Sequence, residues 1–222
     1  MTQIAVYTPQ ALAELLFQSR VDRAGSARLL VGIAGAPGSG KSTLAEILVA
    51  QLNGLLSTRN ESAIVVPMDG FHLDNAILAQ HGTRAVKGSP QTFDIVGLLN
   101  LVKRLCGSTG ETVYAPVFDR ESDLARNAAL AVHQHHSIVL VEGNYLLLQR
   151  DGWRKLGVLF DCTIMLDVAE AVLEKRLVQR WLDHGHTAEG ALEKATGNDI
   201  PNAHVVLSES ADAHVKYGSV RQ

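Results

Sequence analysis

Cysteine is scarce: Cys106 and Cys162 are the only two in 222 residues. Neither has a second Cys or a His at metal-binding spacing, and one pair cannot build a disulfide framework, so both read as packing residues. Long apolar runs are missing as well. No segment is long enough to cross a bilayer, and the first residues lack the basic stretch, apolar stretch and small-residue cleavage pattern of a signal peptide, which predicts a cytoplasmic protein with no membrane partner. Charge of one sign is absent too, since 20 Lys and Arg against 23 Asp and Glu leave a formal charge of −3. Without a basic stripe, nucleic acid is not expected as a partner, although a small anionic ligand needs only local charge. Internal repeats and low-complexity segments are also lacking. What remains, 46% hydrophobic and 19% charged residues, is an ordinary globular composition, and its length suits one domain over residues 1–222.

Against this plain background one stretch stands out. Gly35-Ala36-Pro37-Gly38-Ser39-Gly40-Lys41-Ser42 fills every position of the pattern G-x-x-x-x-G-K-[ST]. The pattern needs a strand before it and a helix after it. Residues 29–34 form an apolar run that reads as a buried parallel strand, and residues 42–52 place Leu44, Ile47, Leu48 and Leu52 at helical spacing. Glycines at 35, 38 and 40 let the backbone wrap a polyphosphate, so that N–H groups through Ser42 and Thr43 and the positive end of the helix dipole point at phosphate oxygens. Lys41 would reach the β and γ phosphates. The Ser42 hydroxyl would serve Mg2+, which bridges substrate phosphates with oxygen ligands.

Elsewhere the pattern alternates. A short amphipathic helix over residues 9–17, capped by Thr8, precedes the first strand. Residues 63–67 are a second strand, 94–105 a helix, 112–118 an extended run, 137–141 a wholly apolar strand closed by Glu142, and 162–166 another strand. Residues 168–182 are helical and carry Lys175, Arg176 and Arg180. Strands alternating with helices predict a mainly parallel α/β sheet covered on both faces, with ligands at the carboxyl ends of the strands. Asp69 and Glu142 both fall at such ends.

A phosphate loop alone leaves GTPases, transport ATPases and kinases open. No Asn-Lys-x-Asp stretch for reading guanine is present, nor a transporter signature. Asp69, beside Gly70, is placed to accept the proton of an alcohol in line with the γ phosphate, or equally to cap a helix. Glu142 suits a magnesium carboxylate or a polar strand end facing the crevice. Arg176 and Arg180, four apart on one helical face, could close over the phosphates or be a solvated face. The tract His133-Gln134-His135-His136 has the spacing of no common metal site and reads as surface. Trp153 and Trp181 read as packing or hinge residues.

Several motifs taken in order resemble a known family. Gly35 to Ser42, Met68-Asp69-Gly70-Phe71-His72, Lys87-Gly88-Ser89-Pro90-Gln91-Thr92-Phe93-Asp94, Tyr114-Ala115-Pro116-Val117-Phe118-Asp119-Arg120 and Val141-Glu142-Gly143-Asn144-Tyr145-Leu146-Leu147 are together similar to the uridine kinase, phosphoribulokinase and bacterial pantothenate kinase family. Within it the bacterial fructokinase-like, sugar-transport-associated branch is most alike. The resemblance spans residues 31–212. It implies a P-loop NTPase fold, a three-layer αβα sandwich with a small helical lid at about residues 168–187. It also implies an ATP- and Mg2+-dependent phosphotransferase acting on an alcohol. Asp69 matches the catalytic base. His72, Lys87, Asp94, Asp119, Arg120 and Glu142 fall in the substrate-side segments, Arg176 and Arg180 match the basic lid helix, and Asn198, Asp199 and Asn202 resemble a motif near the adenine end.

Two departures bear on the acceptor. Asp183-His184-Gly185-His186-Thr187 follows the lid helix where uridine kinases carry further basic residues, and Glu121, Ser122 and Asp123 do not match their pyrimidine-reading aromatic and histidine. The expected function is therefore transfer of the γ-phosphoryl group to a hydroxyl of a small metabolite, foremost a sugar. A nucleoside or pantothenate acceptor is the enzymatic alternative, and an ATP-sensing regulatory protein the non-enzymatic one. A homodimer is compatible with the sequence, which carries no signal for one.

Overall fold

The computed structural model describes residues 7–23, 27–107 and 110–218. Helix α1 (Pro9–Val21) starts where Thr8 accepts a hydrogen bond from the Ala11 amide, and runs four residues beyond the expected end. Strand β1 (Leu29–Gly35) is buried along its whole length and leads through the phosphate-loop motif into α2 (Lys41–Leu56). Then come β2 (Ser62–Pro67), the short α3 (Asn75–Gln80), and α4 (Ile95–Cys106). An antiparallel ribbon, β3 (Val113–Asp119) with β4 (Leu124–Val132), precedes β5 (His136–Gly143) and β6 (Cys162–Asp167). The chain closes with α5 (Glu170–Asp183), α6 (Ala188–Lys194), a π-helical turn (Ala195–Asp199), α7 (Ile200–Glu209) and β7 (Val215–Gly218).

Five strands form a parallel sheet in the order β2-β5-β1-β6-β7. The α/β sandwich expected from alternating elements is the observed fold. On one face α1 and α2 bury Leu12, Leu16, Leu44, Leu48 and Leu52 against Val31, Ile33 and Leu140. On the other, Leu98 and Leu105 of α4, Leu173 and Leu177 of α5 and Val206 of α7 pack on Leu30, Val139 and Val141. Each such side chain contributes about 1.5–3 kcal/mol relative to exposure, which explains why β1 and β5 contain no polar alternation. Because Leu173 and Leu177 belong to that core, α5, the expected lid helix, is anchored along its first turns.

The extended run expected over 112–118 is β3, and its ribbon partner β4 is the element the sequence pattern does not announce. Residues 124–132 read LARNAALAV and are mostly exposed, with no period-two hydrophobic face and, apart from the terminal Val132, none of the β-branched residues that mark strands. The ribbon's position is set by Gly70: a Cβ there would lie 2.2 Å from the Pro116 carbonyl oxygen, so the ribbon crosses the Met68–Phe71 turn at a distance only glycine allows. The His133–His136 tract is the turn between β4 and β5, as its surface reading requires. The His133 amide donates to His136 Nδ1 at 2.8 Å, and Arg28 donates to the carbonyls of both residues. Among the described residues no helix is long and apolar enough to cross a membrane.

Candidate active site

The loop after β1 owes its shape to glycine. Gly38 and Gly40 have φ of +77° and +95°, in the left-handed region, and a Cβ on Gly35 would lie 2.7 Å from Ser39 Oγ. Gly40 caps α2 without a side-chain bond. The first-turn amides and the dipole of a 16-residue helix therefore stay open to an anion. Ser39 Oγ is buried with no hydrogen-bond partner, a cost that an oxygen-rich ligand in the cradle removes. Lys41 is 8% exposed, and its Nζ folds back to donate to the Ala36 carbonyl at 3.1 Å.

Parallel pairing sets the carboxylates beside this loop. Ile33 and Pro67 flank Glu142 in register from the two neighbouring strands. Glu142 is buried, and Ser42 Oγ donates to its Oε1 at 3.4 Å. Burial pushes the Glu142 carboxyl above its usual range, with Lys41 opposing. Burial also pulls Lys41 below its ordinary value, opposed first by Glu142 and then by Asp69. A hydroxyl and a carboxylate this close are hard oxygen donors of the kind a small divalent cation takes.

One turn past β2, Asp69 faces a cavity of about 540 Å3, its Oδ2 3.5 Å from Arg120 Nη2. The cavity has an aromatic wall, with the His72 ring 4.0 Å from Phe93 and 4.7 Å from Phe118 between centroids. Burial pulls His72 below its ordinary value, so the imidazole is neutral at pH 7. Its Nδ1 lies 2.8 Å from the Asp69 carbonyl, which can only accept. The proton therefore sits on Nδ1, and Nε2 is left as an acceptor. Lys87 Nζ donates to Asp123 Oδ1 at 2.8 Å and Asn75 Oδ1 at 3.0 Å, and lies 5.0 Å above the Phe118 ring.

Helix α5 divides its two arginines. Arg176 Nη1 donates to the Gly38 carbonyl at 3.2 Å, on the phosphate loop. One turn on, Arg180 Nη2 donates to Asp199 Oδ2 at 2.7 Å, and the same oxygen accepts from Trp181 Nε1 at 2.6 Å. The buried Asp199 thereby aims Arg180 and Trp181 at the cavity, both of which line it.

The structure thus gathers Lys41, Ser42, Glu142 and Arg176 around the phosphate loop, with Thr43 exposed on the first turn of α2. It gathers Asp69, His72, Lys87, Arg120 and Arg180 around the cavity. Five residues lie elsewhere than the resemblance implied. Asp94 does not line the Asp69 cavity: its carboxylate caps α4, accepting from the Gly97 amide at 2.8 Å, and borders a separate groove with Asn100 and Arg104. Asp119 alternates away from cavity-lining Phe118 and accepts from the Ser122 amide at 3.0 Å, a bond that holds its carboxyl below the usual range. Asn198, Asp199 and Asn202, expected near the adenine end, all line the Asp69 cavity, where Asn198 donates to the Lys87 carbonyl at 2.7 Å. Sequence reasoning missed Asp123, Arg84 and Lys194, and took Trp181 for a packing or hinge residue. All four line the cavity, and no spacing connects them, because they come from the ribbon tip, the segment before α4, the last turns of α5 and the end of α6.

Known proteins resemble this chain in sequence and fold. A solved structure from Silicibacter sp. TM1040, described as a "putative fructose transport system kinase", is 43% identical and superposes with a TM-score of 0.87 over 95% of this chain and 99% of that one. A Schizosaccharomyces pombe protein named "Putative uridine kinase C227.14" is 35% identical, covering 79% of this chain and 76% of that protein. The Escherichia coli protein YggC is 33% identical over 85% of this chain and 76% of its own length. The model of the Phosphoribulokinase / Uridine kinase family matches residues 30–220, so the chain belongs to that family and is an ATP-dependent phosphotransferase that acts on a hydroxyl group.

Proposed function

We infer that this kinase transfers the γ-phosphoryl group of ATP to a hydroxyl of a small sugar or sugar-like metabolite, with Asp69 as the base. The observation that carries the reading is the place of Asp69. It lines the acceptor cavity, and its charge acts on Lys41 at the phosphate loop. In the step, the acceptor oxygen forms a bond to the γ phosphorus while the bond from that phosphorus to the β–γ bridging oxygen breaks. The hydroxyl proton passes to the Asp69 carboxylate, and the bridging electron pair leaves with ADP. Lys41, the loop amides and Arg176 stabilise the charge spread over the transferring group, since phosphoryl transfer depends on positioning and electrostatics. Magnesium, held through Ser42 and Glu142, would neutralise phosphate charge. A sugar suits the cavity because hydroxyls can meet Asp69, His72 Nε2, Asn144 and Asn198 while C–H faces lie on Phe93 and Phe118.

The test is Asp69→Asn, assayed by ADP release over a panel of sugars and by calorimetric titration with ATP. Turnover is expected to fall about 10^2- to 10^4-fold, the usual worth of a positioned base, with ATP affinity retained. Near-normal turnover would remove Asp69 from the chemistry.

A further inference from the structure

Charge in the acceptor cavity does not balance. Its lining includes Arg84, Lys87, Arg120, Arg180 and Lys194 against Asp69, Asp123 and Asp199, five cations to three carboxylates in a chain whose formal charge is −3. His72, held neutral by burial, adds no charge. The carboxylates are also committed. Asp123 is taken by Lys87 and Asn75, Asp199 by Arg180 and Trp181, and Asp69 is reserved for the reacting hydroxyl. Among the described residues, Arg84 and Lys194 make no ion pair within 4.0 Å, and both are exposed on the rim.

These two cations lie on segments that meet at the cavity. Arg84 lies three residues before Lys87, and Lys194 four before Asn198. The 2.7 Å bond from Asn198 Nδ2 to the Lys87 carbonyl ties the two segments together. A second bond from Tyr145 to the Gly88 carbonyl, at 2.7 Å, pins the first segment to the body of the protein. The phosphate loop has its own cations, Lys41 and Arg176, bonded to the Ala36 and Gly38 carbonyls. Arg84 and Lys194 are therefore not needed to hold the nucleotide.

Resting on the kinase reading of this site, we propose that the acceptor is a hydroxylated small molecule that itself carries an anionic group, a phosphate ester or a carboxylate. The anion meets Arg84 and Lys194, the lining cations that no carboxylate engages. A neutral sugar would leave these cations unused. Guanidinium and ammonium groups facing a phosphate or carboxylate form charge-assisted hydrogen bonds, which both attract the acceptor and fix which hydroxyl reaches Asp69.

The experiment compares hexoses, the corresponding hexose monophosphates and hexonic acids, by ADP release and by acceptor-induced shift of the thermal unfolding midpoint with a non-hydrolysable ATP analogue bound. Members of one anionic series are expected to show kcat/KM at least tenfold above their neutral counterparts, and the phosphate and carboxylate arms identify which anion is read. Arg84→Gln and Lys194→Gln should each raise the KM of the anionic acceptor about 3- to 10-fold, with kcat changed less than twofold, because exposed cations act through partly screened charge. Raising salt from 50 to 300 mM should erode the same preference. Equal or better use of neutral hexoses, or variants that weaken neutral and anionic acceptors alike, would overturn the proposal. If no compound is turned over yet hexose monophosphates still raise the unfolding midpoint, and Arg84→Gln reduces that rise at a fixed ligand concentration, the anion site stands and the kinase reading fails. No stabilisation by any anionic compound sinks the anion site itself.

Discussion

The phosphate loop and the acceptor cavity lie a few residues apart in space and are built on opposite principles. The loop is one continuous segment whose working groups are backbone amides and two side chains, Lys41 and Ser42, all dictated by glycine positions and the start of α2. The cavity is assembled from the turn after β2, the segment before α4, the ribbon tip, the end of α5 and the turn into α7. Continuity makes the first rigid and recognisable. Assembly lets the second change its lining without disturbing the first, and it is there that this chain departs from the motifs it resembles.

That contrast can be broken or sharpened by mutation, beyond the Asp69 and rim-cation tests. The largest effect should come from the loop: Lys41→Ala removes a buried cation from the transferring phosphoryl group, and kcat is expected to fall about 10^2- to 10^3-fold, as for other preorganised charge donors. A loss confined to acceptor KM would mean that the two regions are not separate. Next is Asp199→Asn. It takes the charge from the oxygen that orients both Arg180 and Trp181, and acceptor KM should rise about tenfold with ATP KM moving less than twofold. Equal changes in both constants would place Arg180 with the nucleotide. The smallest is Asp94→Ala. Loss of a helix cap should lower stability by about 1 kcal/mol in denaturant unfolding, while acceptor KM stays as it was. An acceptor KM raised tenfold would return Asp94 to the cavity.

Much of the nucleotide side was legible in the order of residues. Residues 29–34 are apolar without interruption because β1 is covered on both faces, and the glycines at 38 and 40 occupy backbone conformations that other residues resist. Glu142 was legible as a strand-end carboxylate because Ser137 to Val141, the residues just before it in β5, are all buried. The acceptor side was legible only in part. Asp69, His72, Lys87 and Arg120 lie in short motifs, whereas Asp94 and Asp119 lie in the same motifs and point elsewhere. One is taken by the Gly97 amide and the other by strand alternation.

The order of amino acids alone determined the α/β sandwich and the phosphate cradle, since each is written in local periodicity and in glycines with a steric reason to be where they are, while phosphoryl transfer to an alcohol is implied by several motifs occurring in order. Which side chains face the acceptor was decided only in three dimensions. The ribbon crossing over Gly70 and the Asn198–Lys87 bond bring together residues up to 111 positions apart. Side-chain direction at such a meeting depends on packing from several segments at once, which no local pattern encodes.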